Sequence, residues 1–222
     1  MCVRYSNAIS NDDALTHFGI KGAPPYYPPR FNIAPAEHAP IVRLDSEGQR
    51  RLVLYRWGFV PASSEDPDRR FALIHARGEA LASSPVFQDA FRYRRCLVPA
   101  DGFYQWRLVG KSKVPYYFRM RDFRPFAFAG LWERWESEEH EDVILSFAIV
   151  VTTAALAEPI RGRLPIILPP SRYEAWLSND TGPELLEPYA DANLVHYLVS
   201  PRTMIPGVDE PSLVQPLEMQ SS

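Results

Sequence analysis

The sequence is poor in cysteine and contains no long apolar run. Its two cysteines, Cys2 and Cys96, are too few for a disulfide scaffold, and neither they nor the five histidines have the spacing of a zinc site. No segment approaches the roughly 18 apolar residues that a membrane helix needs. Arg4, Asp12 and Asp13 interrupt the region where a signal peptide would be apolar. We therefore expect a cytoplasmic protein with no membrane partner, no metal and no other cofactor.

Lysine is also scarce, with three residues against 21 arginines. A net charge of -3 argues against a protein that binds nucleic acid over its whole surface. The charge is uneven, however, because residues 90–125 contain only two acids, Asp101 and Asp122, against nine basic side chains: Arg92, Arg94, Arg95, Arg107, Lys111, Lys113, Arg119, Arg121 and Arg124. Arginine forms bidentate contacts with phosphate and stacks on bases. This segment therefore predicts either a local basic binding face or an ordinary solvated strand face.

Short apolar segments bounded by turn residues predict many strands and few helices. Residues 10–17 have the pattern of a helix, with Ser10 or Asn11 as its cap and Gly19 as its stop. A hairpin is predicted over residues 40–44 and 51–57. Further strands are predicted over residues 71–75, 96–98, 102–106, 115–119, 125–131, 143–151 and 164–168, and short helices over 78–83 and 171–178. The pattern indicates one α+β domain over residues 1–222 with a mostly antiparallel sheet.

Cys2 follows the initiator methionine, and this position gives it a distinctive chemistry. Removal of Met1 would leave an α-amine beside a thiol, with ordinary pKa values of about 7.7–8.0 and about 8.5. The amine of such an aminothiol condenses with an aldehyde to an imine, and the thiolate then closes a five-membered thiazolidine ring. An abasic site in DNA exposes an aldehyde in its open-chain form. Cys2 is therefore a candidate nucleophile, with Arg4 as a neighbouring cation.

Seven motifs occur in the order and at the spacing of one protein family. They are MCVRY (1–5), RFNIAP (30–35), WGFVP (57–61), ARGE (76–79), RCLVPADGFYQW (95–106), TTA (152–154) and RLPIIL (163–168). On these motifs the sequence resembles the SRAP (SOS response-associated peptidase) family from Cys2 to about Pro216. The resemblance implies a curved, barrel-like β core with short peripheral helices, and single-stranded DNA containing abasic sites as the partner.

The resemblance also implies roles for individual residues. Cys2 corresponds to the cysteine that captures the abasic site, and Arg77 and Arg163 match family arginines near the DNA backbone. Asn32 resembles a residue that orders the active-site loop or, alternatively, is an ordinary turn side chain. With Arg4, which could hold a phosphate, these residues are the expected DNA-binding positions. Three positions depart from the family at its catalytic residues, because His75 replaces an Asn, Gln105 a Glu and Arg161 a His. Gln105 can form hydrogen bonds but cannot transfer a proton, and Arg161 cannot act as a base near neutral pH. His75 is a candidate for proton transfer or, alternatively, a packing residue.

Three functions are compatible with these motifs and departures. The first is an abasic-site protein that forms a thiazolidine cross-link through Cys2. The second is a catalytically degenerate homologue that binds single-stranded DNA electrostatically and ignores the lesion. The third is a thiol peptidase or autopeptidase with Cys2 as its nucleophile. Whether the chain is an enzyme therefore depends on what replaces the missing acid and base.

Overall fold

The computed structural model describes residues 3–65, 73–137, 141–154, 162–179, 182, 185–187 and 193–217. Strands predominate over helices within these ranges. The strands are β1 (Tyr5–Asn7), β2 (Arg30–Ile33), β3 (His38–Leu44), β4 (Arg50–Trp57), β5 (His75–Arg77), β6 (Arg95–Ala100), β7 (Gly102–Val109), β8 (Ser112–Met120), β9 (Phe126–Glu136), β10 (Val143–Ala154), β11 (Gly162–Pro165), β12 (Ile167–Leu168) and β13 (Leu194–Leu198). The α-helices are α1 (Asn11–Phe18), α2 (Gln88–Tyr93) and α3 (Tyr173–Leu177), and short 3₁₀ helices include Gly78–Ala80, Pro170–Arg172, Pro201–Met204 and Pro211–Val214.

Five strands close into a ring at the centre of the fold. Along it β10 pairs with β4, β4 with β3, β3 with β6, β6 with β9, and β9 again with β10. The β10–β4 and β10–β5 pairings are parallel, and the other pairings among the described strands are antiparallel. β5 and β11 extend the sheet beside the second half of β10, and β12 joins β9. The predicted mostly antiparallel, barrel-like α+β fold is confirmed.

A second sheet packs against this barrel, with strand order β13-β8-β7-β1-β2. Successive side chains of a strand point to opposite faces, and β6 shows how the core divides. Cys96 and Val98 belong to a buried cluster with Tyr5 and Phe103 of the second sheet. Leu97 faces the other way, into a cluster that includes the helical residue Trp176. The second sheet therefore lies on one side of the barrel wall and the helices on the other.

Local sequence signals explain the elements that were predicted well. In α1, the Ser10 hydroxyl accepts a hydrogen bond from the Asp13 N–H, and Gly19 ends the helix in the left-handed conformation. The β3–β4 hairpin pairs Leu44 with Arg50 and His38 with Arg56, as its alternating apolar pattern predicted. No helix in the described part of the chain is long and apolar enough to cross a membrane.

Other elements differ from the prediction because distant partners define them. Phe71 and Ala72 of the predicted 71–75 strand lie outside the described residues. The strand found there, β5, begins at His75 because it pairs with Ile149 to Val151 of β10. The predicted 164–168 strand is interrupted at Ile166, whose N–H donates to Val150 of β10 while its carbonyl accepts from Ala129 of β9. β1, β2, β13 and α2 were not predicted.

Candidate active site

The N-terminal strand lies against β7, next to the family motif around Gln105. Tyr5 pairs with Phe103, and the Tyr104 N–H donates to the Arg4 carbonyl over 3.1 Å. Continuing this register brings Val3 opposite Gln105. Cys2 and Arg161 lie outside the described residues.

Gln105 is a buried polar side chain with an unused donor. Its side chain is 2% exposed, and its Nε2 atom has no hydrogen-bond partner among the residues that the structure describes. A buried donor left in this way costs about 1–3 kcal/mol. Gln105 alternates with Phe103 along β7, so it lies on the strand face that meets the barrel. The arrangement suits donation of a hydrogen bond from Nε2 to an oxygen atom of a ligand.

His75, Arg77 and Arg163 line one cavity of about 330 Å³. His75 and Arg77 come from β5 and Arg163 from β11, and these strands flank β10 on opposite sides, since Val151 pairs with both Arg77 and Pro165. The rest of the lining is mostly apolar: Leu73, Ala80, Ser84, Phe87 and Val151. Arg77 is exposed, and Arg163 is half-buried. Two guanidinium groups over an apolar floor suit an anionic ligand with apolar parts.

A chain of aromatic contacts connects this cavity to the N-terminal strand. The ring of His75 meets Trp57 edge-on with centroids 6.3 Å apart, and Trp57 meets Tyr5 at 5.3 Å. Trp57 is fully buried and donates from Nε1 to the Ile74 carbonyl. His75 is therefore both packed against a core tryptophan and part of the cavity wall.

Glu79 supports the cavity through the backbone of β10. Its carboxylate accepts from the Thr153 N–H at 2.9 Å and from the Thr152 hydroxyl at 3.4 Å. The hydrogen bond from the Thr153 N–H and, more weakly, the charge of Arg163 lower the pKa of Glu79 below its ordinary value. Glu79 therefore binds a backbone donor of β10.

Asn32 orders a C-terminal segment, which we define as residues 203–209. Its side chain is 2% exposed, and Nδ2 donates to the carbonyls of Thr203 (3.2 Å) and Val208 (2.7 Å). Asp209 also binds this strand, because it accepts from the Phe31 N–H at 2.6 Å and forms an ion pair with Arg30. Asn32 thus fixes surrounding backbone, while its predicted contact with DNA stays a prediction. Nothing in the sequence pattern indicated the segment.

A buried polar cluster beneath β1 was also missed from the sequence. Ser6 donates to Asp101 over 2.5 Å, its hydroxyl lies 2.7 Å from that of Tyr117, and the Ala8 N–H donates to Asp101. Burial raises the pKa of Asp101 above its ordinary value of 3.8 despite these bonds. Gly102 leaves room for the cluster, since a Cβ there would lie 2.0 Å from the Tyr117 hydroxyl. The Asp-Gly pair inside the 95–106 motif was the available signal.

The nine basic residues of the 90–125 segment do not form one face. Arg94 pairs with Glu133 at 2.7 Å, and Arg95 is buried over the rings of Phe91 and Trp176. Arg119 lies over Phe123 near the far end of β8. These three are therefore structural. The others lie on separate elements: Arg92 on α2, Arg107, Lys111 and Lys113 on the β7–β8 hairpin, and Arg121 and Arg124 after β8. Within the described ranges, no three His, Cys, Asp or Glu side chains come together as a metal site would require.

Comparison with known proteins identifies the family. The sequence model described as SOS response associated peptidase (SRAP) matches residues 1–204. The abasic site processing protein YoqW of Bacillus subtilis is 33% identical over 224 residues, covering 97% of this chain and 99% of that protein. The abasic site processing protein YedK of Escherichia coli is 29% identical, covering 81% of each chain.

Solved structures support the same assignment at the level of the fold. A protein from Bacteroides thetaiotaomicron superposes with a TM-score of 0.87 at 22% identity, covering 98% of this chain and all of that one. A phage-related protein from Bordetella bronchiseptica gives 0.71 at 26% identity, with coverage of 89% and 94%. The family match spans most of the chain, and the chain belongs to the SRAP family.

Proposed function

We propose that this protein processes abasic sites in single-stranded DNA by linking itself covalently to the lesion through Cys2. The observation that carries the proposal is the near full-length similarity to relatives named abasic site processing proteins. The cavity with Arg77 and Arg163 adds support, because it offers two cations for phosphates close to an imidazole. The resulting adduct would shield the lesion in the cytoplasm.

The proposed reaction needs Met1 to be removed first. The α-amine of Cys2 then attacks the open-chain aldehyde and forms an imine with loss of one water molecule. The thiolate of Cys2 adds to the imine carbon, and the nitrogen takes up a proton, so that a thiazolidine results. At most about 7.6 Å of chain separates the Cα atoms of Cys2 and Arg4, whose carbonyl is bound to β7. This tether favours reaction near Gln105.

Seven residues have a proposed place around this chemistry. The unused amide donor of Gln105 would bind an oxygen of the opened sugar, since it cannot transfer a proton. His75 would move the proton that the family's acid and base otherwise handle. Arg77 and Arg163 would hold phosphates beside the lesion. Arg4 would do the same at the N-terminal strand, Asn32 would act by fixing the backbone, and Arg161 stays a proposed site residue.

Variants of the two cysteines test this proposal. Purified protein is incubated with a single-stranded oligonucleotide containing one abasic site and analysed on a denaturing gel. We expect an SDS-stable adduct with the wild type and with Cys96→Ala, since Cys96 is fully buried and burial raises its thiol pKa. Cys2→Ala should form none. An adduct that persists in Cys2→Ala would contradict linkage through Cys2.

His75→Ala tests the proton-transfer role in the same assay. We expect the rate of adduct formation to fall by about 10²-fold or more, the usual contribution of a general acid or base, and its pH dependence to flatten. An unchanged rate and profile would mean that His75 is only a packing residue beside Trp57.

A second candidate function is lesion-indifferent binding of single-stranded DNA. The presence of glutamine at 105 favours it, because a residue that cannot transfer protons occupies the position of the family's glutamate. In this case abasic and intact oligonucleotides would bind equally, with the same salt dependence, and neither would form an adduct.

A further inference from the structure

The hairpin formed by the ends of β7 and β8 extends beyond the sheet to which it belongs. β1 borders β7 only as far as Tyr104, which is bonded to Arg4. On the other side, β13 pairs with β8 from Tyr116 onward, and Val199 reaches Pro115. Residues 107–114, which we call the arm, are bordered by no further strand in the described part of the chain. Three cross-strand pairs and a turn give it a length of about 10 Å.

The arm is built as a stable two-stranded ribbon. Arg107 pairs with Val114, Leu108 with Lys113 and Val109 with Ser112. Gly110 has a φ of 60° in the turn, as the first central residue of a type II′ hairpin turn requires. The tip therefore has a defined shape without support from a neighbouring strand.

The side chains of the arm combine positive charge with exposed apolar surface. Arg107, Lys111 and Lys113 are exposed, and no Asp or Glu occurs between residues 102 and 121. Leu108 is 67% exposed and Val109 53%. A projecting ribbon with three cations on a protein of net charge -3 is complementary to a polyanion. The exposed side chains of Leu108 and Val109 can also pack against the sugars and bases between phosphates, which a purely ionic surface would not do.

The base of the arm is the candidate active site. Gln105 precedes the arm by two residues and lies on the same strand face as Arg107, because side chains alternate along β7. That face meets the barrel, where Trp57 contacts His75. DNA held with its lesion beside Gln105 would therefore reach the arm on the face of Arg107. Lys113 shares the opposite face with Leu108, so the strand would pass around the tip at Lys111 to meet it.

We propose that the arm is a second DNA-binding element, in which Arg107, Lys111 and Lys113 contact phosphates of the single strand next to the lesion. The proposal rests on the proposed function for the identity of the ligand. It is independent of the covalent step, because these contacts hold the DNA and take no part in the reaction at Cys2.

The test compares two triple variants with the same change in charge. The first is Arg107→Ala/Lys111→Ala/Lys113→Ala in the arm. The control is Lys21→Ala/Arg92→Ala/Arg121→Ala, which removes three exposed cations from α1–β2, α2 and the opposite end of β8. Affinity for a fluorescent single strand containing an uncleavable abasic analogue is measured by anisotropy at 50–200 mM salt, and adduct formation is measured separately at saturating abasic DNA. Thermal melting verifies that both variants are folded.

We expect the arm variant to lose about two units of the slope of log affinity against log salt, from three phosphate contacts at about 0.7 each. Between 50 and 200 mM salt, wild-type affinity should then fall about 20-fold more than that of the arm variant. The control should retain most of the wild-type slope, and the adduct yield at saturating DNA should be unchanged in both. A wild-type slope in the arm variant, or an equal loss in the control, would overturn the proposal. Arm-dependent binding without any adduct would instead overturn only the Cys2 chemistry.

Discussion

At the scale of single residues, Gln105 is a buried glutamine whose Nε2 donor has no partner within the described ranges. Natural cores rarely keep such a group unless a ligand or water satisfies it. Gln105 is 2% exposed and flanked by aromatic side chains on β7 and β8, such as Tyr104 and Tyr116. Under the proposed function, its position trades stability for a polar contact with the substrate.

This trade-off predicts opposite effects of Gln105→Leu on stability and activity. We expect the free energy of unfolding to stay equal or to rise by about 1 kcal/mol, because an unpaired polar group is replaced by an apolar one of similar size. The adduct should form at least several-fold more slowly. Denaturant unfolding and gel kinetics measure the two, with Gln88→Leu on the exposed face of α2 as the control. A wild-type rate in Gln105→Leu would remove Gln105 from the substrate site.

Asp101 predicts a dependence of stability on pH. Burial raises its pKa in the folded protein, so the native state favours the protonated carboxyl. The stability it contributes is present below its unfolded pKa of about 3.9 and is lost as pH rises through the higher native value. We expect the unfolding free energy of the wild type, relative to that of Asp101→Asn, to be larger at pH 4 than at pH 7. Denaturant titrations at both pH values measure this difference. A difference that is constant, or larger at pH 7, would mean that the native pKa of Asp101 is not raised.

At the scale of elements, the C-terminal segment is bound to β2 by side-chain contacts and stabilises it. Asp209 accepts from the Phe31 N–H and pairs with Arg30, while Asn32 holds the carbonyls of Thr203 and Val208. We expect Asp209→Ala to cost about 2–3 kcal/mol of unfolding free energy, since it leaves a partly buried arginine and an N–H without their acceptor.

The control for this change is Asp209→Asn, which keeps an oxygen acceptor for the Phe31 N–H and should lose less. Hydrogen exchange should become faster in residues 203–209 and in β2 of Asp209→Ala. If exchange accelerates in the C-terminal segment alone, the segment does not support β2.

Sequence patterns predicted local elements better than pairings between distant segments. The capping Ser10 and the alternation in residues 40–57 depend on neighbours in sequence, and both predictions were confirmed. β1 has three residues and β5 three, so each is too short to carry a pattern and exists because of its partner strand. Within the site, the 95–106 motif located Gln105, but the cavity that joins His75, Arg77 and Arg163 depends on β5 and β11 flanking β10.

At the scale of the whole molecule, the barrel and the second sheet contribute different parts of the proposed site. The cavity with its two arginines belongs to the barrel strands, whereas Gln105, the N-terminal strand and the arm belong to the second sheet. The buried cluster between the two sheets joins them through Tyr5 and Trp57. A net negative protein could still bind a polyanion there, because Arg77 and Arg163 of the cavity and the three cations of the arm supply local positive charge.

The central claim is that Cys2, as an N-terminal aminothiol, links this protein to abasic DNA. Its most direct test is the intact mass of the purified wild type before and after incubation with an abasic single-stranded oligonucleotide. We expect a chain without Met1 that gains the mass of the oligonucleotide less one water molecule, as thiazolidine formation requires. A chain that lacks Met1 but gains no mass at saturating DNA would contradict the account, as would an adduct formed on a chain that retains Met1.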